Sequence, residues 1–533
     1  MSELQFDTIP ALLRRRARER PQQRSIAMDG RWLTYGELDG NSRLVAGFLK
    51  EAGYDFGDRI GLFLENCPEF LFCWFGINRL GAIQVPLNTE LRAQQLRYCL
   101  ENCGMHILIV GATLLDRLSE IELPPAIERL IVIGDTGPGK LPSFPGVSSE
   151  PFEAIARLGR SEDGEDVELT AATPAVIIYT SGTTGPSKGV VCSHGYFTSL
   201  AADTMEVLGV GSRDVLYDAH PLYHAQAQGQ GVMGALSSDI PLVMRKKFSA
   251  SGFLKDVVEY GVTTAFLIGA AGLMLKQPLS ALDRNHSLRV ICAVPVPKDQ
   301  LHALEQRFGV PAIDLYGMTE LGAASANPLS RRVPNSCGVP LPSREIRIVD
   351  ELDRPLPARR IGQIVVRSKR PWSTFLEYWG MPDKTAESLR NMWFHTGDAG
   401  YFDEDGYLYF IGRIKDAIRR RGENISAFEV EQAINGHPAV LETAILPYPS
   451  PVGEDDVWAV VIAVPGEKIE PVELISYCET VLQRYAVPRY ITFADVLPKT
   501  PTGRIEKYKL VALGLPPGTY DRESATGSHP REN

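Results

Sequence analysis

The stretch Tyr179 to Gly189, YTSGTTGPSKG, has the make-up of an anion cradle. Ser181, Gly182, Thr183, Thr184 and Gly185 are small enough for the backbone to turn tightly and aim its N–H groups inward. Hydroxyls add donors, and Lys188 adds a positive charge. The apolar run PAVIIYT (174–180) reads as a buried strand feeding the loop. The spacing is not GxxxxGK[ST], because Lys188 is followed by Gly189, so a P-loop GTPase or ATPase is disfavoured. A plain flexible linker would need neither the lysine nor the strand.

Other short segments also concentrate reactive side chains. LYGMTE places Tyr316, Gly317, Met318, Thr319 and Glu320 at the end of an apolar strand, where parallel α/β sheets bind ligands. Alone, it would also fit a strand-to-helix turn with Thr319 as N-cap. HTGD ends on Asp398, a carboxylate able to accept hydrogen bonds from sugar hydroxyls, although Gly-Asp is also a common turn pair. IRRRGENIS gathers Arg419, Arg420 and Arg421 before Gly422, which is either a phosphate-binding patch or a solvated charge run. PLYHAQAQGQG (221–231) offers His224 after an apolar strand, with Gly229 and Gly231 allowing close backbone approach. A structural histidine is the plain alternative there. The eight cysteines show no CxxC pair and no zinc spacing; Cys99 and Cys103, four apart in a helical pattern, read as small buried side chains.

Holding these residues takes alternating strands and helices. RIGLFLE (59–65) reads as a strand, PEFLFCWFGINRLG (68–81) as a buried helix and AIQVPLN (82–88) as a strand. Further strands are expected at 106–111, 129–134, 174–180, 214–219, 240–246, 262–269, 289–294 and 311–317. The pattern implies largely parallel sheet covered on both faces. From about residue 345 the texture shifts to short antiparallel strands and hairpins, followed by helices over 426–438 and 471–488. The composition, 44% apolar and 23% charged, is that of a globular protein. A net charge of −10 argues against a nucleic-acid binder. No segment reaches the ~18 uninterrupted apolar residues of a spanning helix. The N-terminus lacks a long apolar region and carries Glu3 and Asp7, so a transit peptide is disfavoured; Ile9 to Arg18 reads as an amphipathic helix. The sparse cysteines fit a reducing, cytoplasmic setting.

YTSGTTGPSKG resembles the phosphate-binding signature of the adenylate-forming superfamily, which includes acyl-CoA synthetases, nonribosomal adenylation domains and beetle luciferases. LTYGEL (33–38), LGAIQVPLN (80–88), LYGMTE, HTGD (395–398), GRIKD (412–416), RGENIS (421–426) and PKTPTGRIEKYKL (498–510) follow in the family's order, so the likeness covers about residues 8 to 513. The combination of GENIS with WSTFLEYW (372–379) resembles the crotonobetaine/carnitine-CoA ligase-like branch. The resemblance implies an ATP-dependent acid–CoA ligase using Mg²⁺: a carboxylic acid becomes an acyl-adenylate with release of pyrophosphate, and coenzyme A then displaces AMP. It implies an α/β fold: a large N-terminal domain of α/β sheet subdomains plus a small β-barrel-like part, with a smaller mobile α+β C-terminal domain. The expected boundaries are 1–413, a hinge at 414–416 centred on Lys415, 417–515, and a polar tail over 516–533 expected to be disordered.

Residue by residue, the resemblance implies that Thr180 to Lys188 hold the β- and γ-phosphates, Tyr316 stacks on adenine beside Gly317 and Met318, and Thr319 reaches the α-phosphate. Glu320 and Thr180 face the metal. Asp398 and Arg413 take the ribose. Arg420, Arg421, Gly422 and Glu423 are expected to dock coenzyme A. His224, Gln228, Gly269 and Gly322 are expected at the acyl end. No Asp occurs within 221–231 to pair a substrate ammonium, which disfavours an amino acid substrate.

Two departures stand out. The family's adenylation lysine is replaced by Arg504, and Arg and Lys are not interchangeable. Either Arg504 or, after a register change, Lys507 bridges acid and α-phosphate, or adenylation is weak. ICAVPVP (291–297) is bulkier than the small turn usual in the family. Two other classes stay open: an adenylating enzyme with an amine or carrier-protein acceptor, and a nucleotide-binding relative without catalysis. The acid and the oligomeric state are open too.

Overall fold

The computed structural model describes residues 7–28, 30–136, 141, 143–158, 167–180, 187–267, 270–293, 298–414, 417–420, 423–450, 455–499 and 505–525. They form two compact units: the described parts of Met1–Thr180, Ser187–Ile346 and Val366–Met392, and those of Arg347–Val365 and Trp393–Asn533. The 413/417 division expected from sequence falls inside the second unit.

The first unit carries two large sheets. One has the order Glu377–Tyr378, Lys188–Ser193, Pro174–Thr180, Ile83–Pro86, Arg59–Phe63, Ile107–Gly111, Arg129–Ile133 and Ser148–Pro151. The last six run parallel, and the first two add antiparallel at one edge. The other has the order Ala312–Ile313, Val290–Cys292, Thr264–Phe266, Leu216–Asp218, Leu242–Met244, Arg24–Met28 and Arg31–Thr34, parallel except for the last pair. Parallel strands are buried on both faces, which is why these segments read as unbroken apolar runs. Helix Pro68–Arg79 starts on a proline, whose missing N–H costs nothing there, and buries Phe70, Trp74, Phe75 and Ile77 completely. The amphipathic N-terminal helix runs Ile9–Glu19; Thr8 caps it, accepting from Ala11 N at 3.3 Å, and Leu12 and Leu13 are buried.

The run 311–317, expected as one strand, is two. Ala312–Ile313 ends the parallel sheet, and Leu315–Met318 starts a three-stranded antiparallel sheet with Gly322–Ala326 and Val339–Pro340. Gly317 permits this: a Cβ there would lie 2.3 Å from Gly322 O.

In the second unit, HTGD lies not in a turn but within the nine-residue strand Phe394–Phe402. Its sheet has the order Arg344–Val349, Gly362–Ser368, Phe394–Phe402 and Leu408–Arg413, the first two strands being shared with the first unit along the chain. The basic segment forms a hairpin, Ala417–Arg420 against Glu423–Ser426. A last sheet orders Val440–Pro449, Asp455–Ala463, Tyr490–Phe493 and Tyr520–Asp521. Helices Ala427–Asn435 and Pro471–Val481 cover one face, burying Ile434, Val457, Val461 and Leu474. Part of the tail expected to be disordered is therefore packed. Tyr520–Asp521 pairs with Tyr490–Ile491, and Asp521 takes Arg489 at 3.1 Å, a long-range pair that composition does not reveal.

Candidate active site

In the first unit, strand pairing sets Thr180 opposite Lys188, and Thr180 Oγ1 donates to Lys188 O at 3.5 Å. The Lys188 ammonium stands 4.4 Å from the centre of the Tyr378 ring. The Tyr378 hydroxyl donates to Glu320 Oε1 at 2.8 Å. Thr319 is held from behind, its carbonyl accepting from Tyr196 Oη at 2.8 Å. Phe375 N donates to Glu320 O at 2.8 Å. Two stretches far apart in sequence, the strand that opens at Lys188 and LYGMTE, thus meet through Tyr378. Sequence reasoning missed this residue. Its only signal was an aromatic within WSTFLEYW, because the edge strand that delivers it is two residues long. Tyr316 is buried, whereas Gly317 is exposed.

The acyl-end segment follows the central strand Leu216–Asp218 and forms a π-helix over Ala227–Met233, a conformation common at functional sites. Gly229 and Gly322 both pack on Leu200, where added Cβ atoms would lie 2.5 and 3.2 Å from its side chain. The segment and the LYGMTELG turn are therefore neighbours. Gln228, expected to line the acyl end, is fully buried, and its amide donates to Leu222 O at 2.6 Å. It braces the turn. Burial, helped by nearby His220, pushes the His224 imidazole down to about 4, against the pull of Asp218. His224 is neutral at pH 7.

Sequence reading also passed over Asp218 and Asp314. Asp218 is fully buried at the carboxyl end of its strand, with His220 Nδ1 at 2.6 Å and the Gln226 amide donating at 2.9 Å. It lies outside the 221–231 window searched for an acidic residue, and these contacts occupy both its oxygens. Burial raises the Asp314 carboxyl to about 7, against a hydrogen bond donated by Leu315 N at 2.8 Å.

In the second unit, Asp398 and Arg413 face each other across paired strands, with Arg413 Nε 2.9 Å from Asp398 Oδ1. Arg413 also donates to Thr396 O at 2.9 Å. Gly397, at φ +72°, supplies the left-handed kink between Thr396 and Asp398. Arg420 corrects the expectation of a coenzyme A ligand. It is 2% exposed, lies 2.9 Å from Asp456, and donates to the carbonyls of Tyr485 and Val487 at 3.1 and 3.0 Å. Its guanidinium is committed to the core. Lys507 Nζ is paired with Glu431 at 2.8 Å, and Lys499 with Glu442 at 2.6 Å. Ser181, Gly182, Thr183, Thr184, Gly185, Gly269, Lys415, Arg421, Gly422 and Arg504 lie outside the described residues, as do residues 294–297 and the Glu423 side chain.

Thr180 and Lys188 on paired strands, the Glu320 carboxylate linked to Lys188 through Tyr378 and, in the second unit, the Asp398–Arg413 pair are cations and oxygen donors of the kind that can bind a nucleotide. The family model for the AMP-binding enzyme matches residues 13–379, and that for its C-terminal domain matches 429–504. The chain belongs to the AMP-binding enzyme family. It is 32% identical over 493 residues to a crotonobetaine/carnitine–CoA ligase of Salmonella paratyphi A, covering 90% of this chain and 93% of that relative. Among solved structures it is similar to the anthranilate CoA ligase AuaEII in complex with anthranoyl-AMP, at 27% identity and a TM-score of 0.85, over 95% of this chain and 97% of that one. It is also similar to ATP-bound MatB from Rhodopseudomonas palustris, at 26% identity and a TM-score of 0.82, over 95% and 98% of the two chains. Within the family it is an AMP-forming acyl-CoA synthetase, an acid–thiol ligase.

Proposed function

We propose that the chain joins a carboxylic acid to coenzyme A in two half-reactions at the expense of ATP. A carboxylate oxygen attacks the α-phosphorus and pyrophosphate leaves. The thiol of coenzyme A then attacks the acyl carbon and AMP leaves. Both partners of the first step are anions, so the site must supply fixed cations and donors. The observation that carries this reading is the meeting of Lys188 and Glu320 around Tyr378. Lys188, with the loop Ser181–Gly185, holds the β- and γ-phosphates. Thr319 reaches the α-phosphate, Tyr316 with Gly317 and Met318 the adenine, and Asp398 with Arg413 the ribose. The Glu320 carboxylate and Thr180 hydroxyl are hard oxygen donors that suit Mg²⁺, which when bound offsets the charge of the phosphates.

The ion pairs of Lys499 and Lys507 favour Arg504 as the cation that bridges acid and α-phosphate. Arg421, Gly422 and Glu423 keep the coenzyme A role, and Arg420 anchors the strand Ala417–Arg420 to the core. Lys415 serves as the hinge between two working orientations of the C-terminal domain, with 414–416 as the boundary. His224, as a neutral imidazole, stands near the acid, with Gly269 and Gly322 as small walls. The free thiols, all buried or half-buried among the described residues, fit the reducing cytoplasm. Among the described residues no helix is long and apolar enough to cross a membrane.

Acid-dependent ATP–pyrophosphate exchange over aliphatic, aromatic and alicyclic acids tests the reading, with crotonobetaine, carnitine and anthranilate in the panel. Exchange followed by thioester formation only with coenzyme A is expected. Silence with every acid would make the chain a nucleotide binder, and exchange without a thioester would point to another acceptor.

A further inference from the structure

The segment Phe375–Trp379 sews together the two loops assigned to phosphate and metal. Leu376 N donates to Val191 O at 2.8 Å and Trp379 N to Gly189 O at 2.7 Å, which fixes it to the strand of Lys188. Phe375 N donates to Glu320 O at 2.8 Å, which fixes it to the other loop. Tyr378, 4% exposed, stands between these anchors and touches a charged group at each end. Its hydroxyl donates to one Glu320 oxygen at 2.8 Å. Its ring face lies 4.4 Å from the Lys188 ammonium, within cation–π range.

We propose that Tyr378 is a positioning residue: its hydroxyl pins one oxygen of Glu320 so that the other is presented to the nucleotide-bound metal, while its ring independently steadies Lys188. This part-buried O–H···O⁻ bond is charge-assisted, and it removes the rotational freedom that a lone glutamate would lose on binding a cation. The two contacts use different parts of one side chain, so they are separable. Tyr378→Phe removes the hydroxyl and keeps the ring. The inference rests on Glu320 being the metal carboxylate, and the experiment keeps the two failures apart.

Binding of ATP to the full-length protein is measured by calorimetry with Mn²⁺ and again with EDTA, for the parent chain, Tyr378→Phe and Glu320→Gln. Bound Mn²⁺ is counted by electron paramagnetic resonance. The proposal expects Glu320→Gln and Tyr378→Phe each to weaken Mn²⁺–ATP binding by about tenfold, the scale of one hydrogen bond to a charged group. Binding of ATP in EDTA should stay within about twofold in Tyr378→Phe, because the ring remains over Lys188; this also reports that the variant is folded. Unchanged or tighter Mn²⁺–ATP binding in Tyr378→Phe, with Glu320→Gln weakened, overturns the positioning role alone. Equal loss of Tyr378→Phe affinity with and without metal also overturns it, since the defect would then be general. Unchanged binding in Glu320→Gln overturns the metal assignment of Glu320, and the inference falls with it.

Discussion

Replacing Lys507 by Ala and Arg504 by Ala, separately, should split the two candidates for the adenylation cation. Lys507 Nζ lies 2.8 Å from Glu431 Oε1, with side chains 22% and 15% exposed. The same Glu431 oxygen accepts from Ile445 N at 2.8 Å, so the acceptor is held in place. At that separation the gross attraction is about 6 kcal/mol for an effective dielectric of about 20. Desolvation and side-chain ordering reduce the net contribution to about 1 kcal/mol at most. Lys507 would have to give this up to reach a substrate, so Lys507→Ala should cost up to about 1 kcal/mol of stability. Adenylate formation should change by less than about threefold. On the proposed assignment, Arg504→Ala should slow adenylate formation by about 10²–10³. Thioester formation from preformed acyl-adenylate should stay near the parent rate. Single-turnover assays of each half-reaction, with urea unfolding of the same variants, read out both quantities. The reasoning is refuted if Lys507→Ala abolishes adenylation while Arg504→Ala retains it, or if Arg504→Ala slows both half-reactions equally.

Two further outcomes concern stability. Burial pushes the His194 imidazole down to about 3, and its Nδ1 must be unprotonated to accept from Ile9 N at 3.3 Å. Its unfolded value is about 6.5, so the unfolded chain takes up a proton that the folded chain refuses between pH 6.5 and about 3. Its contribution is complete above pH 6.5 and is lost on acidification, with about 2 kcal/mol gone by pH 5. Urea midpoints at pH 7 and pH 5 should converge in His194→Gln; an unaltered slope would remove His194 from the account. Arg420→Ala should destabilise the protein by about 3–5 kcal/mol by leaving Asp456 buried with one cation fewer. Arg420→Lys should substitute for it poorly, because one ammonium nitrogen cannot both donate to Tyr485 O and Val487 O, as Nη1 does, and hold Asp456, as Nε does at 2.9 Å. Denaturation curves that match the parent would restore Arg420 to the solvent-facing patch.

The sequence by itself determined the order and type of the large elements. Parallel strands buried on both faces must be apolar throughout, and that pattern is local, so runs such as 174–180 could be read before any fold was known. It also marked the loops at their ends, because tight turns and anion cradles demand particular small residues at particular steps. Only the tertiary structure decided what those loops touch. Tyr378 was invisible as a bridge because its strand is two residues long and its partners lie far away in sequence. Arg420 sits in a run of three arginines, yet its strand turns it toward Asp456 in the core, a partner far along the chain that the run itself does not reveal. Lys507 looked like a free candidate until Glu431 was found beside it. A side chain's charge is written in the sequence. Whether that charge is spent on the protein or kept for a ligand depends on neighbours that only folding brings within reach.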